Sequence, residues 1–173
     1  MKRILGILAV FALQHASAQN EFAANGFYTS VRKLLEDGDS AFQLNRGSKR
    51  IANFPELADE YNLKTLFPVA DSGKIVIPKT GSPFAVLYFD PSSKREKIEA
   101  RATHLREALI TAFGKPFTIK TITSQVNNHL FSDTYYFEDA NTTNTASAIF
   151  RTSVYFQAGE YFISLEIRGR KKD

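Results

Sequence analysis

The chain has 173 residues, with 22 Lys and Arg against 18 Asp and Glu, and it contains neither cysteine nor tryptophan. Such a length allows one domain with a sizeable core. The missing cysteine excludes a disulfide framework and thiolate chemistry, and the near-balanced charge gives little footing for a polyanion such as nucleic acid.

Lys2 and Arg3 precede an apolar run, Ile4 to Leu13, which Gln14 and His15 end before Ala16-Ser17-Ala18. A charged start, a short apolar stretch and small residues at Ala16 and Ala18 form the tripartite pattern of a secretory signal segment over residues 1–18, cleaved after Ala18. The alternative, a membrane anchor, needs roughly 20 apolar residues to cross the hydrocarbon layer. Ile4 to Leu13 is about half that, and no later run is longer. Residues 19–173 then form a single domain that keeps all seven Tyr and all but one of the 15 Phe. Export without cysteine fits a bacterial periplasm or medium, because small domains of animal extracellular spaces usually rely on disulfides. Asn141-Thr142-Thr143 matches a glycosylation acceptor, a pattern without meaning in most bacteria.

Phe22 to Glu36 reads as a helix with Phe27, Val31, Leu34 and Leu35 apolar, ended by Asp37-Gly38. Gly26 weakens it by about 1 kcal/mol. Ser40 to Leu44 reads as a short strand, Asn45 to Arg50 as a turn, residues 51–60 as a loop around Pro55, and Asn62 to Phe67 as a strand. Gly73 to Pro78 and Phe84 to Asp90 pair as a hairpin across Lys79 to Ser82.

The clearest element follows. Ser93 and Glu96 match a capping box, in which hydroxyl and carboxylate satisfy free amides reciprocally. Ile98, Ala102, Leu105, Leu109 and Phe113 recur at spacings that stack them on one helical face. Lys94, Glu99, Arg101, Arg106 and Glu107 fall outside that stripe. The spacing predicts a helix over 94–113, stopped by Gly114 and Pro116. Beyond it the period changes to two. Residues 117–124, 129–139, 146–157 and 160–169 read as strands, with a turn cluster from Asn141 and a tight hairpin at Ala158-Gly159. Ala148, Phe150, Thr152, Val154 and Phe156 share one face, while Ser147, Arg151, Ser153 and Gln157 share the other.

The fold class is therefore α+β, an antiparallel sheet packed by helices, with helix plus four strands occurring in both 20–90 and 91–170. Local matches between the halves are sparse: Val31 with Leu105, Arg32 with Arg106, Leu35 with Leu109. A helix plus four strands, twice, resembles the layout of the secreted β-lactamase inhibitory proteins. The resemblance implies an inhibitor-type function as one alternative and transfers no residue, and the absent cysteines depart from that family's disulfides.

Catalytic signals are few. After cleavage only His104 and His129 remain, in different segments and without metal-ligand spacing, so neither a metal nor an organic cofactor is expected. On a regular strand His129 and Asp133 point the same way and can form a general-base pair. No thiol, Gly-x-Ser-x-Gly elbow or Ser-x-x-Lys supplies a nucleophile, and no phosphate-binding glycine loop occurs. The basic cluster Arg168, Arg170, Lys171 and Lys172 sits at the extreme C-terminus, where a solvated tail accounts for it. Aromatic residues crowd the last strands; core packing accounts for most, and Tyr135, Tyr155 and Tyr161 are the candidates for an exposed contact surface. The sequence thus favours an exported, non-enzymatic binding protein whose sheet face contacts a macromolecule of the envelope. The alternatives are a small periplasmic hydrolase using carboxylates or the His129–Asp133 pair, and a proteinaceous inhibitor or immunity-type protein.

Overall fold

Period-two segments need neighbours to satisfy their backbone, and one sheet supplies them here. The computed structural model describes residues 21–24, 26–65, 67–113, 117–126, 130–139 and 150–169. The expected signal segment with Ala16 and Ala18, the expected helix stop at Gly114–Pro116, His129, the cluster from Asn141 and the residues beyond Gly169 lie outside them. Among the described residues three helices, α1 (Glu21–Ala24), α2 (Phe27–Gly38) and α3 (Arg95–Phe113), accompany eight strands. The strands are β1 (Arg46–Arg50), β2 (Ala58–Leu63), β3 (Ser72–Pro78), β4 (Phe84–Ser92), β5 (Phe117–Val126), β6 (Leu130–Asp139), β7 (Phe150–Gln157) and β8 (Glu160–Arg168).

All neighbours are antiparallel, in the order β1-β2-β3-β4-β8-β7-β6-β5. Each half is a meander, and the two meet where β4 pairs β8 from Phe84↔Arg168 to Phe89↔Ile163. The expected α+β class is present. Along the chain α2 precedes β1 to β4 and α3 precedes β5 to β8, an order that does not establish the expected tandem duplication.

Core residues come from one face of the sheet and the helices above it. Ala85, Leu87 and Phe89 of β4, Ile163, Leu165 and Ile167 of β8, and Phe150, Thr152 and Val154 of β7 are buried under α2 and α3. The α3 stripe behaves as its spacing requires, since Ile98, Ala102, Leu105 and Leu109 are buried. At its start the Ser92 hydroxyl, not that of Ser93, accepts from the Lys94 N–H at 3.1 Å. The expected capping box is replaced by this shorter loop. Phe22 packs edge-on against Phe27 and Phe89, with ring centroids 5.2 and 5.5 Å apart. At the other end of α2, Gly38 and Gly169 touch backbone to backbone: a Cβ on Gly169 would lie 2.3 Å from the Gly38 carbonyl oxygen.

Three sequence expectations fail in the first half. The helix expected over 22–36 is divided, because Gly26 adopts φ 68° and opens α2 as its own N-cap. Ser40–Leu44 is no strand. Ala41 and Phe42 take left-handed conformations, φ 55° and 59°, which turn the chain and bury the Phe42 ring completely. Buried Asp37 holds this turn: its Oδ1 accepts from the Ser40 hydroxyl at 2.7 Å and Leu44 N–H at 3.2 Å. Its Oδ2 accepts from the Asn45 N–H at 2.9 Å and side-chain amide at 2.8 Å. Arg46 adds a bond to the Ala41 carbonyl at 2.7 Å and lies over the Tyr61 ring. Finally, Arg46–Arg50 is the edge strand β1 rather than a turn, and its partner runs over Ala58–Leu63 instead of Asn62–Phe67. Charged side chains suit a sheet edge, where they deter pairing with other chains.

Candidate functional site

With the helices on one face, alternate residues of β2, β3, β4, β8 and β7 are turned to the other. Register builds the rows. Glu60↔Val76, Val76↔Phe84 and Phe84↔Arg168 form one; Lys74↔Val86, Val86↔Glu166 and Glu166↔Arg151 form the next; Tyr88↔Ser164 and Ser164↔Ser153 form a third. Tyr155 pairs with Phe162 beyond them, their rings stacked at 5.4 Å and 12°. Together these strands form a hollow of about 380 Å³ floored by Val76 and Val86 and walled by Tyr88 and Tyr155.

Charge in the hollow is fixed in two networks. Lys74 Nζ meets Glu60 Oε1 at 2.8 Å, with side chains only 18% and 12% exposed. Glu166 accepts from Arg168 Nε at 2.6 Å and faces Arg151 Nη1 at 3.6 Å. Both are same-face pairings of the kind a sheet makes between adjacent or diagonal positions. Half-buried pairs hold their members in one geometry, since separating them leaves a poorly solvated charge. Burial pushes the Tyr88 phenol pKa up, Glu60 and Glu166 add to this, and Arg50 opposes it. Burial likewise raises that of Tyr155. Both phenols are neutral hydrogen-bonding groups over the whole physiological range.

A second hollow, about 310 Å³, lies between the end of β4 and α3 and is lined by Glu21, Asp90, Lys97, Arg101 and His104 among others. Arg101 organises it. Its Nε donates to Glu21 Oε1 at 2.5 Å and its Nη1 to the Asp90 carbonyl at 3.1 Å, while the guanidinium lies near the Phe22 and Phe89 rings. Asp71 sits beside Asp90. Burial raises its pKa, and the hydrogen bond and charge of Asp90 raise it further against the pull of Arg101. Neighbouring carboxyls that share a proton are a known route to acid–base chemistry.

The sequence candidates are dispersed over the fold. Tyr155 lines the large hollow. Tyr161 packs on the helix side against the core, 4.7 Å from the Phe156 ring. Tyr135 stands on β6 opposite Thr121 and Thr152, and Asp133 opposite Thr123 and Val154. His104, flanking the α3 stripe, reaches the smaller hollow. Among the described residues no group of three or more His, Cys, Asp or Glu is placed to hold a metal ion, and no helix is long and apolar enough to cross a membrane. Sequence reasoning missed Lys74, Glu60, Tyr88 and the Asp71–Asp90 pair. Their alignment depends on the β2–β3 pairing and the β4–β8 junction, for which no local signal exists. No family model matches the chain, and neither a curated protein nor a solved structure matches it.

Proposed function

We propose that this chain is an exported, non-catalytic binding module whose helix-free sheet face contacts a macromolecule in the bacterial periplasm or medium. One observation carries the reading: the hollow places Tyr88 and Tyr155 beside two fixed ion-pair networks. Tyrosine offers a large contact area and a polar tip for little ordering cost. Ion pairs already held in place need not be ordered on association, which lowers the cost of binding and selects the partner by charge pattern. Lys74 and Arg151 balance Glu60 and Glu166 along its lining, so the hollow favours a surface that presents charges of both signs. Eight strands about 4.8 Å apart span about 34 Å from first to last, wide enough for the ~800 Å² per partner of a standard interface. The N-terminal pattern through Ala16 and Ala18 supports export. An inhibitor or immunity-type protein is the form this reading takes when the macromolecule is an enzyme or a toxin.

The test is capture from an envelope extract by the purified chain, compared with Tyr155→Ser, Arg151→Ser and the exposed helix variants Lys33→Ala and Glu107→Ala. Enrichment lost only in the two sheet-face variants supports the proposal. Equal capture by all variants, or none by the unmodified chain, counts against it. Asp90, which lines the smaller hollow with His104 and has Asp71 beside it, favours a second reading, carboxylate chemistry on a small ligand. A hydrolytic activity abolished by Asp90→Asn and indifferent to Tyr155→Ser selects that reading instead.

A further inference from the structure

An open antiparallel sheet has two edges, and each offers backbone N–H and C=O groups to any strand that comes alongside. Here the edges are β1 and β5, and they are built differently. β1 is five residues long, three of them the cations Arg46, Lys49 and Arg50, and its register against β2 shifts between Arg46 and Lys49. Shortness, charge and irregular register are the devices that keep an edge from adding strands.

β5 has none of them. It runs for ten residues, Phe117–Val126, in unbroken register with β6 from Phe117↔Asp139 to Val126↔Leu130. It contains neither proline nor glycine, and Lys120 is its one charged residue. Its outer side pairs with no strand among the described residues. Along a regular strand every second residue turns both its N–H and its C=O to the same side. The outer side of β5 is therefore a template about 34 Å long, and the occupant that satisfies it is another extended strand.

One guarded edge and one open edge narrow what that strand is. Stacking β5 of one copy on β1 of the next would grow without end, and β1 is closed to it. Two β5 strands meeting about a two-fold axis perpendicular to the sheet stop at a dimer. Directly opposed residues of an antiparallel pair share a face, so the axis passes through a residue. With Ile122 on the axis, residues 118–126 all pair. Thr121 then faces Thr123 of the second copy, Lys120 faces Ser124, and Ile122 meets its own equivalent. Pairs of β-branched and hydroxyl residues favour association, and the two Lys120 side chains are never opposed. We infer that β5 is a self-association edge, through which two copies of the chain join into one continuous sheet. The symmetry puts the two copies' hollows on the same side, so the dimer presents the proposed contact face twice. The pairing itself uses no residue of the hollow and stands without that function.

A substitution on the axis meets itself, and this gives the test. Sedimentation velocity of the full chain is compared with Ile122→Lys, with Ile122→Glu and with an equimolar mixture of the two. The unmodified chain should form a concentration-dependent dimer. Each single variant should lower the association constant about fivefold or more, because like charges then stand directly opposed. The mixture should regain the dimer, since lysine then faces glutamate, and this recovery also shows that both variants keep a folded β5. Ser48→Lys on the β1 edge should leave association unchanged. A monomer at every concentration, a dimer that persists in either single variant, or a mixture that stays monomeric overturns the inference. Association through the N-terminal apolar run would survive both substitutions and so counts among the refuting results.

Discussion

Asp37 holds the turn that carries the chain from α2 to the sheet edge, and removing its carboxylate should destabilise the whole protein. The side chain is 4% exposed and accepts four hydrogen bonds, from Ser40 Oγ, Leu44 N, Asn45 N and Asn45 Nδ2. Ser40 and Asn45 side chains can turn to water, which leaves the two backbone donors as the main loss. A hydrogen bond to a charged acceptor contributes about 1.5–3 kcal/mol, so Asp37→Ala should cost about 3 kcal/mol. Asp37→Asn keeps the shape but turns an amide donor towards donors, and should cost about 2 kcal/mol. Burial alone would raise the carboxyl pKa; the bonds from Ser40, Asn45 and Leu44 outweigh it and hold the group below its ordinary value of 3.8. A carboxyl lowered in the folded state stabilises above its unfolded pKa and loses that contribution as pH falls through the folded one. Urea unfolding at pH 7 and at steps down to pH 2.5 reads both effects. The gap between the unmodified chain and Asp37→Asn should be full at pH 7 and shrink below about pH 4. A gap under about 0.5 kcal/mol at pH 7, within the range of ordinary surface changes, or one that persists unchanged at pH 2.5, refutes the assignment.

Other substitutions probe the packing and the hollow. Gly169→Ala places a methyl 2.3 Å from the Gly38 carbonyl oxygen, backbone against backbone, and should cost about 2 kcal/mol in thermal unfolding. Thr152 Oγ1 is buried without a hydrogen-bond partner among the described residues. Thr152→Val removes that hydroxyl at constant shape and should raise stability by about 1 kcal/mol in the same assay. Lys74→Met strands the Glu60 carboxylate, only 12% exposed, and should cost about 2 kcal/mol in urea. The double variant Lys74→Met, Glu60→Leu should recover most of that loss while altering the hollow's charge pattern.

Where local pattern and tertiary demand agree, the sequence is transparent. The α3 stripe, the β3–β4 hairpin and the β7–β8 hairpin at Ala158-Gly159, with φ 52° and 89°, all announce themselves by period and turn chemistry. Around Phe42 the two disagree. An apolar residue in Ser40–Leu44 suggests a strand, yet Phe42 reaches the core by a left-handed turn that non-glycine residues adopt only when surrounding bonds enforce it. Those bonds come from Asp37 and Arg46, a dependence that composition does not display. Arg-Gly-Ser-Lys-Arg has the composition of a turn and is the edge strand, because an edge needs charge more than apolar alternation. The hollow was illegible for another reason. Tyr88 and Ser164 face one another only because β4 pairs β8, a junction between chain segments far apart in sequence.

The central claim, that the sheet face opposite the described helices is the contact surface, is met most directly by site-specific photo-crosslinking in cells that produce the chain. A benzophenone side chain is placed at Tyr155 or Arg168 on that face, and at exposed Lys33 or Glu107 on the helix side. The account predicts one discrete adduct, of the same mass from both sheet positions and absent from both helix positions. Adducts from Lys33 and Glu107 with none from Tyr155 or Arg168 would contradict it.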